Sequence, residues 1–242
     1  MKTTYSELKR MRCIQNNLLR DLMKKLIIFG TTDAAELAHY YFSRDSDYKI
    51  EAFSVDREYL RSDTFCGLPV IPFDEIAQKY PPTSHEFFVA LGYSNLNETR
   101  KKKYFEVKAM GYQLATYISP HATILNQHQI GENCFILEDN TVQPFVTIGN
   151  NVTLWSGNHI GHHSVISDHC FLASHIVVSG RVEIGESCFI GVNATFRDNI
   201  TIGEKSIIGA GALILASTEP LGLYVGNATE RARVPSNRIK KI

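Results

Sequence analysis

From Ile118 onward, every sixth residue is large and apolar. The series runs Ile118, Ile124, Ile130, Ile136 and Val142 through Phe196, Ile202, Ile208 and Ile214, seventeen positions without a break. With roughly three residues in ten qualifying, chance gives such a run a probability on the order of 10⁻⁹. A second column lies four residues after each member and favours slim side chains: Ala122, Cys134, Val146, Val152, Ser164, Cys170, Val182, Cys188, Ala194, Ser206 and Ala212. His128, Asn140, Asn158, Ile176 and Ile200 are its exceptions. Glycine often follows the aliphatic position, and Gly, Asn and Asp gather at the turns. Short strands joined by tight turns at fixed spacing describe a parallel β-helix with both columns facing inward. Cys134, Cys170 and Cys188 then read as small buried hydrophobes, since no Cys-x-x-Cys spacing occurs.

Residues 25 to 117 lack this period and read as alternating strands and helices. Leu26–Gly30 is a buried strand entering a turn, Asp33–Phe42 a helix, Ile50–Val55 a strand ending at Asp56, and Leu68–Ile71 a short strand. A helix begins at Pro72–Asp74, Phe87–Leu91 is another strand ending at Gly92, and Asn95–Met110 is a charged helix stopped by Gly111. This is a small Rossmann-like unit, whose strand ends at Gly30, Asp56 and Gly92 open on one ligand-binding edge. Gly30-Thr31-Thr32-Asp33-Ala34-Ala35 lacks the second glycine of a dinucleotide fingerprint, which argues against nicotinamide binding. The expected organisation is an extension over residues 1–24, a Rossmann-like domain over 25–117, a β-helix over 118–219 and a tail over 220–242.

Charge narrows the function classes. Lys plus Arg number 25 and Asp plus Glu number 25, so no net field exists to hold a nucleic acid. No apolar run approaches the ~20 residues of a membrane span, and residues 1–24 contain no secretory apolar stretch. The expected partners exclude nucleic acid and membrane, and the expected compartment is the cytoplasm. Residues 1–22 carry only an amphipathic hint, in Leu8, Met11, Ile14, Leu18 and Leu22.

A Rossmann-like half followed by a hexapeptide helix resembles the NeuD/PglD-type sugar acyltransferases of the hexapeptide-repeat superfamily, over about residues 24 to 235. The resemblance implies a left-handed β-helix with three hexads per triangular coil. At 18 residues per coil and roughly 4.8 Å per coil, residues 118–214 make about five and a half coils, roughly 26 Å tall. It also implies acetyl transfer from acetyl-CoA to a sugar amine or hydroxyl, a nucleotide sugar held by the first domain, and a homotrimer with active sites in grooves between subunits. The family's base is a His on a turn, two residues after an aliphatic hexad position, followed by an acidic residue. His162 matches that position, with His163 where the acid stands, and Asn158 and His159 as further catalytic support. Family acetyl-CoA contacts map onto Phe171, Gly180, Val192 and Ala210. Nucleotide-sugar contacts map onto Thr32, Asp33, Ala34, Asp56 and Gly92, and more weakly onto Arg57, Tyr93 and Ser94. Val225-Gly226-Asn227-Ala228 resembles the family's closing motif without its proline.

Gly180 follows His162 by one coil and leaves a backbone N–H for a thioester carbonyl, while imidazole titrates near neutrality and suits a general base. The reaction needs direct attack and no protein nucleophile. Zinc is the rival reading of nine histidines, but no two are five apart, the spacing of hexapeptide-repeat carbonic anhydrases, so no metal is expected. His121, His128, His169 and His175 read as surface or interface residues, and His39 and His85 carry no constellation. The runner-up functions are sugar O-acetylation and a noncatalytic scaffold. One outward column is apolar (Phe135 with Leu137, Thr153 with Trp155, Phe171, Phe189, Ile207) and reads as the subunit interface.

Overall fold

The computed structural model describes residues 23–125 and 129–228, with Arg231, Arg233 and Arg238. The expectations for the first 22 residues and for His128 lie outside these. The first domain runs β1 (Lys24–Phe29), α1 (Asp33–Asp45), β2 (Tyr48–Val55), β3 (Thr64–Phe65), β4 (Leu68–Pro72), α2 (Ile76–Lys79), β5 (Glu86–Val89), α3 (Glu98–Ala109) and β6 (Gln113–Leu114). Its sheet order is β3-β4-β2-β1-β5-β6, parallel except for the β3–β4 pair. The buried run Leu26–Phe29 is central and packed on both faces, as its unbroken apolar sequence requires. Gly30 adopts φ +121°, and a Cβ there would come within 2.8 Å of the Ala90 carbonyl oxygen, so the β1 turn can pass over the end of β5 only as glycine.

The third helix starts later than its sequence pattern suggests. Asn95, Leu96 and Asn97 all have positive φ, so the chain makes a left-handed turn there and α3 begins at Glu98. Asn97 is fully buried, and its side-chain amide donates to the Ser187 and Cys188 carbonyls (3.3 and 3.1 Å), contacts across the domain boundary that no local pattern announces.

The second half is a triangular prism of two-residue strands in parallel sheets of seven, six and four strands, a left-handed β-helix. Register is 18 residues through most of the prism, as in Thr141, His159, Val177, Thr195 and Leu213 on one face, and shortens to 16 in the last coil, where Ile207 pairs with Leu223 and Ile202 with Thr218. The hexad and slim columns face inward, and Cys134, Cys170, Cys188, Ile176 and Ile200 all lie in its core. Asn140 and Asn158 are buried there too, donating to the Trp155 carbonyl at 2.9 and 2.5 Å. Burial pushes the Cys134 thiol up to about 12, so it packs as a neutral side chain. At most corners one residue takes positive φ, such as Phe145, His163, Arg181 and Asn199 along one edge, and none of these positions is β-branched. The first rung is Tyr117–Ile118 and the last Leu223–Tyr224, so the prism continues into the segment read as a tail.

The apolar outward column has a different partner from the one expected. Phe135 and Leu137 are buried in one cluster with Leu26, Phe42, Phe53 and Phe88, with Trp155 against it. Phe171 is buried and stacks on Phe189 (5.7 Å, 14°), with Tyr93 of the first domain against both rings (4.9 and 4.8 Å). Most of this strip is therefore covered within the chain by the first domain. Only its far end stays open, with Ile207 37% and Leu223 67% exposed. An outward apolar column shows that something covers it, and here the chain folds back to do so.

Candidate active site

The strand ends of the first domain and the covered face of the prism enclose a cavity of about 250 Å³. Asp33 and Ala34, from the start of α1, and Gly92 and Tyr93, after β5, line it together with Phe171, as do Trp155, Phe135 and Arg100. Four of the expected nucleotide-sugar positions thus meet in one place. Thr32 and Ser94 sit exposed on the same two loops without forming its wall. Asp56 and Arg57 are occupied elsewhere: Lys103 donates to Asp56 at 2.6 Å, and Arg57 pairs with Asp74 (2.8 Å) and Glu75 (2.7 Å). Phe171, mapped from its family position to acetyl-CoA, belongs to this cavity instead, because its strand faces the first domain.

Arg100 is the residue the sequence reading missed. It is 1% exposed, and its guanidinium donates to the carbonyls of Asn151 (3.3 Å), His169 (3.0 Å) and Cys170 (3.1 Å) on the prism, and to Gly92 (3.4 Å). Burial pushes its pKa down to about 10, leaving it charged at neutral pH. Its sequence signal was slight, one Arg in a helix rich in lysine. Beside it a ladder of buried polar groups joins the domains. The Val89 N–H donates to Asn133 Oδ1 (2.7 Å), Asn133 Nδ2 to Asn151 Oδ1 (2.8 Å), and Asn151 Nδ2 meets His169 Nδ1 (2.9 Å). The order of donors fixes His169 Nδ1 as an acceptor.

His162 lies at a different place, the exposed corner between the six-stranded and four-stranded faces. Its backbone N–H donates to Gln143 Oε1 (2.9 Å), and its ring rests on Gly180: a Cβ there would meet Cε1 at 2.7 Å and Nε2 at 2.8 Å. The coil register thus brings His162 and Gly180 together. His163 Nδ1 is 3.0 Å from His162 Nδ1. Half-buried His159 stands on the adjoining strand. Asn158 does not reach this corner. It is 1% exposed, and both ends of its amide are used inside the prism, Nδ2 on the Trp155 carbonyl and Oδ1 on the Ile176 N–H (2.8 Å), which removes it from catalytic support. Val192 and Ala210 are exposed at another corner, between the seven-stranded and six-stranded faces, one coil apart. Among the described residues, no three His, Cys, Asp or Glu side chains come together as a metal site, and no helix is long and apolar enough to cross a membrane.

Comparison with known proteins agrees with this architecture. The bacterial transferase hexapeptide (six repeats) family matches residues 127–162 and 181–216. No curated protein sequence matched the chain. Among solved structures, a mutant of perosamine N-acetyltransferase from Caulobacter crescentus in complex with CoA and GDP-perosamine superposes with a TM-score of 0.74 at 22% identity, over 84% of this chain and 93% of that one. The acetyltransferase domain of PglB from Neisseria gonorrhoeae in complex with acetyl coenzyme A gives 0.71 at 21% identity, over 81% and 92%. WeeI from Acinetobacter baumannii gives 0.71 at 20% identity, over 84% and 97%. Two stretches of the prism thus match the hexapeptide repeat of bacterial transferases, and the chain as a whole shares the fold of these solved structures.

Proposed function

We propose that this protein is a cytoplasmic, acetyl-CoA-dependent N-acetyltransferase acting on a nucleotide-linked amino sugar, with His162 as general base. The observation that carries it is the His162 ring lying on Gly180 at an exposed corner. There an imidazole can accept a proton from an attacking amine while the Gly180 N–H meets the developing oxyanion. The aromatic cavity beside Asp33 and Tyr93 supplies a place for the nucleotide handle, and the solved structures of like fold hold CoA and GDP-perosamine. No protein nucleophile is needed: the amine attacks the thioester carbonyl, and the tetrahedral intermediate expels the thiolate.

The cavity abuts the seven-stranded face, whereas His162 stands at the corner between the other two faces. A sugar held in the cavity of one chain is thus remote from that chain's own His162. A homotrimer resolves this by bringing the base of one subunit to the cavity of the next, with Val192 and Ala210 walling the acetyl-CoA channel at the same groove. The covered strip takes no part in that assembly, which leaves the two open faces and their corners.

The test is release of free thiol from acetyl-CoA on addition of nucleotide-linked amino sugars, with unmodified nucleotide sugars as hydroxyl-only controls. Release with the amino sugars alone supports N-acetylation, and none with any acceptor removes the enzyme reading. Co-expressing His162→Ala with Ala34→Arg, each inactive alone, should restore activity in mixed oligomers if the site is shared. Failure of mixing to restore it argues for a site within one chain.

A further inference from the structure

The residue after the base is where the resemblance places a carboxylate, and this chain has an imidazole there. The two Nδ1 atoms are 3.0 Å apart with the rings at 89°. Two ring nitrogens at that distance share one hydrogen, so one ring donates and the other accepts. Each ring is held from outside the pair. His163 has φ +59°, its ring lies 4.6 Å from that of Phe145 in the coil below, and its backbone N–H donates to the Pro144 carbonyl at 3.3 Å. His162 is pinned by Gln143 and rests on Gly180. The nitrogen of His162 left for a substrate is Nε2, so the shared hydrogen belongs on its Nδ1.

We propose that His163 is the positioning residue for the base and acts as a neutral hydrogen-bond acceptor in place of a carboxylate, so that His162 takes up the reaction's proton with its Nδ1–H held. This rests on the acetyltransferase reading given above. In the resting enzyme His162 is the Nδ1–H tautomer and His163 the Nε2–H tautomer. As the amine nitrogen bonds to the thioester carbon, its proton passes to His162 Nε2. His162 then carries both ring protons and the positive charge, with its Nδ1 hydrogen held by the lone pair of neutral His163 Nδ1. Collapse of the intermediate breaks the C–S bond, and the proton passes from His162 Nε2 to the leaving thiolate, giving amide and free thiol. The surroundings suit a neutral acceptor. Desolvation by the groups around it, with Arg181 from the coil above and His162 beside it, holds His163 below the usual imidazole range, while Phe145 below carries no charge.

Nitrogen-15 NMR of the full chain, histidine-labelled and without substrate, reads the tautomers directly, with His162→Gln and His163→Asn variants to assign the signals. The expected pattern is Nδ1–H on His162 and Nε2–H on His163; a neutral His162 protonated on Nε2 overturns the proposal. This readout is independent of activity, so a correct pair in a protein that acetylates no amino sugar would sink the proposed function and leave the pairing standing. In an active enzyme, His163→Ala should lower kcat about 10-fold with KM changed less than about twofold. His163→Asn, which tolerates the left-handed backbone and offers Oδ1 as acceptor, should stay within about threefold of wild type. His163→Asp should move the acid limb of the pH–rate profile upward by about one unit, because an adjacent anion favours the imidazolium. Unchanged kcat in the alanine variant at unchanged melting temperature, or an unmoved limb in the aspartate variant, overturns it.

Discussion

The prism and the first domain bury their cores by different rules. In the prism each coil repeats the one below, so an inward position has the same neighbours at every level and core membership follows from arithmetic alone. In the first domain two separate clusters pack on the sheet's two sides through irregular aromatic contacts, such as Phe42 on Phe88 (5.1 Å) and Phe87 on Tyr112 (4.9 Å). One of these clusters crosses the boundary and takes Phe135 and Leu137 from the prism's outside. A repeat specifies its interior locally, while its exterior is specified by whatever the rest of the chain lays against it.

The sharpest way to break this contrast is to attack the shared wall. Phe171→Ala with Phe189→Ala empties the aromatic seam under Tyr93, and should cost ~4 kcal/mol or more through lost apolar burial and the cavity left behind. Chemical denaturation should then show the first domain unfolding before the prism. A single cooperative transition at the wild-type midpoint would mean that the seam contributes little.

Arg100→Met tests the polar half of the same wall. It keeps an apolar stem but leaves the Asn151, His169 and Cys170 carbonyls without their shared donor, at a cost of about 3 kcal/mol. Arg100→Lys should recover only part of this, since an ammonium cannot reproduce the planar fork. Full recovery would reduce Arg100 to a simple point charge.

At the exposed corner, chemistry and stability should separate. His162→Ala is expected to lower kcat by ~10²-fold or more with the melting temperature unchanged, since the side chain packs on nothing in the core. Equal turnover in the variant and the wild type would remove His162 from the mechanism.

Acid sensitivity should belong to the seam as well. Burial pushes the His169 imidazole below its ordinary 6.5, and Asn151 donates to its Nδ1, so the folded chain holds it neutral. The unfolded chain then binds the extra proton first. The stabilisation is complete above the unfolded pKa near 6.5 and is lost as the pH falls below it, by about 1 kcal/mol per unit until the folded pKa is reached. Urea midpoints measured from pH 7.5 down to 5.5 should show this slope, and His169→Asn should flatten it. An equal slope in both proteins would assign the sensitivity elsewhere.

Smallest and most uniform are the interior truncations. Ile148→Val, Ile166→Val and Ile184→Val occupy one column and should each cost about 1 kcal/mol, alike to within about 0.5 kcal/mol. A spread of several-fold would show that the coils are less equivalent than their register implies.

The prism's inward columns and buried cysteines were legible from the six-residue period, and the family resemblance, by supplying three hexads per coil, turned sequence separation into register and paired His162 with Gly180. The order of strands and helices in the first domain was legible from apolar runs and turn residues. The cavity was half legible: the rule that ligands meet strand ends pointed to Gly92, and the family resemblance to Asp33, Ala34 and Tyr93. Its other wall was invisible, since Trp155 and Phe171 point outward from a repeat that says nothing about its neighbour. Asn158 misled in reverse: it was read as support for the His162 motif, but the prism uses its amide to satisfy a buried Trp155 carbonyl and Ile176 N–H. Periodic hydrogen bonding between coils is a short-range rule that one sequence suffices to state. How the first domain docks depends on contacts 44 to 91 residues apart, between Val89 and Asn133 and between Asn97 and Cys188, and only the tertiary structure brings those partners together.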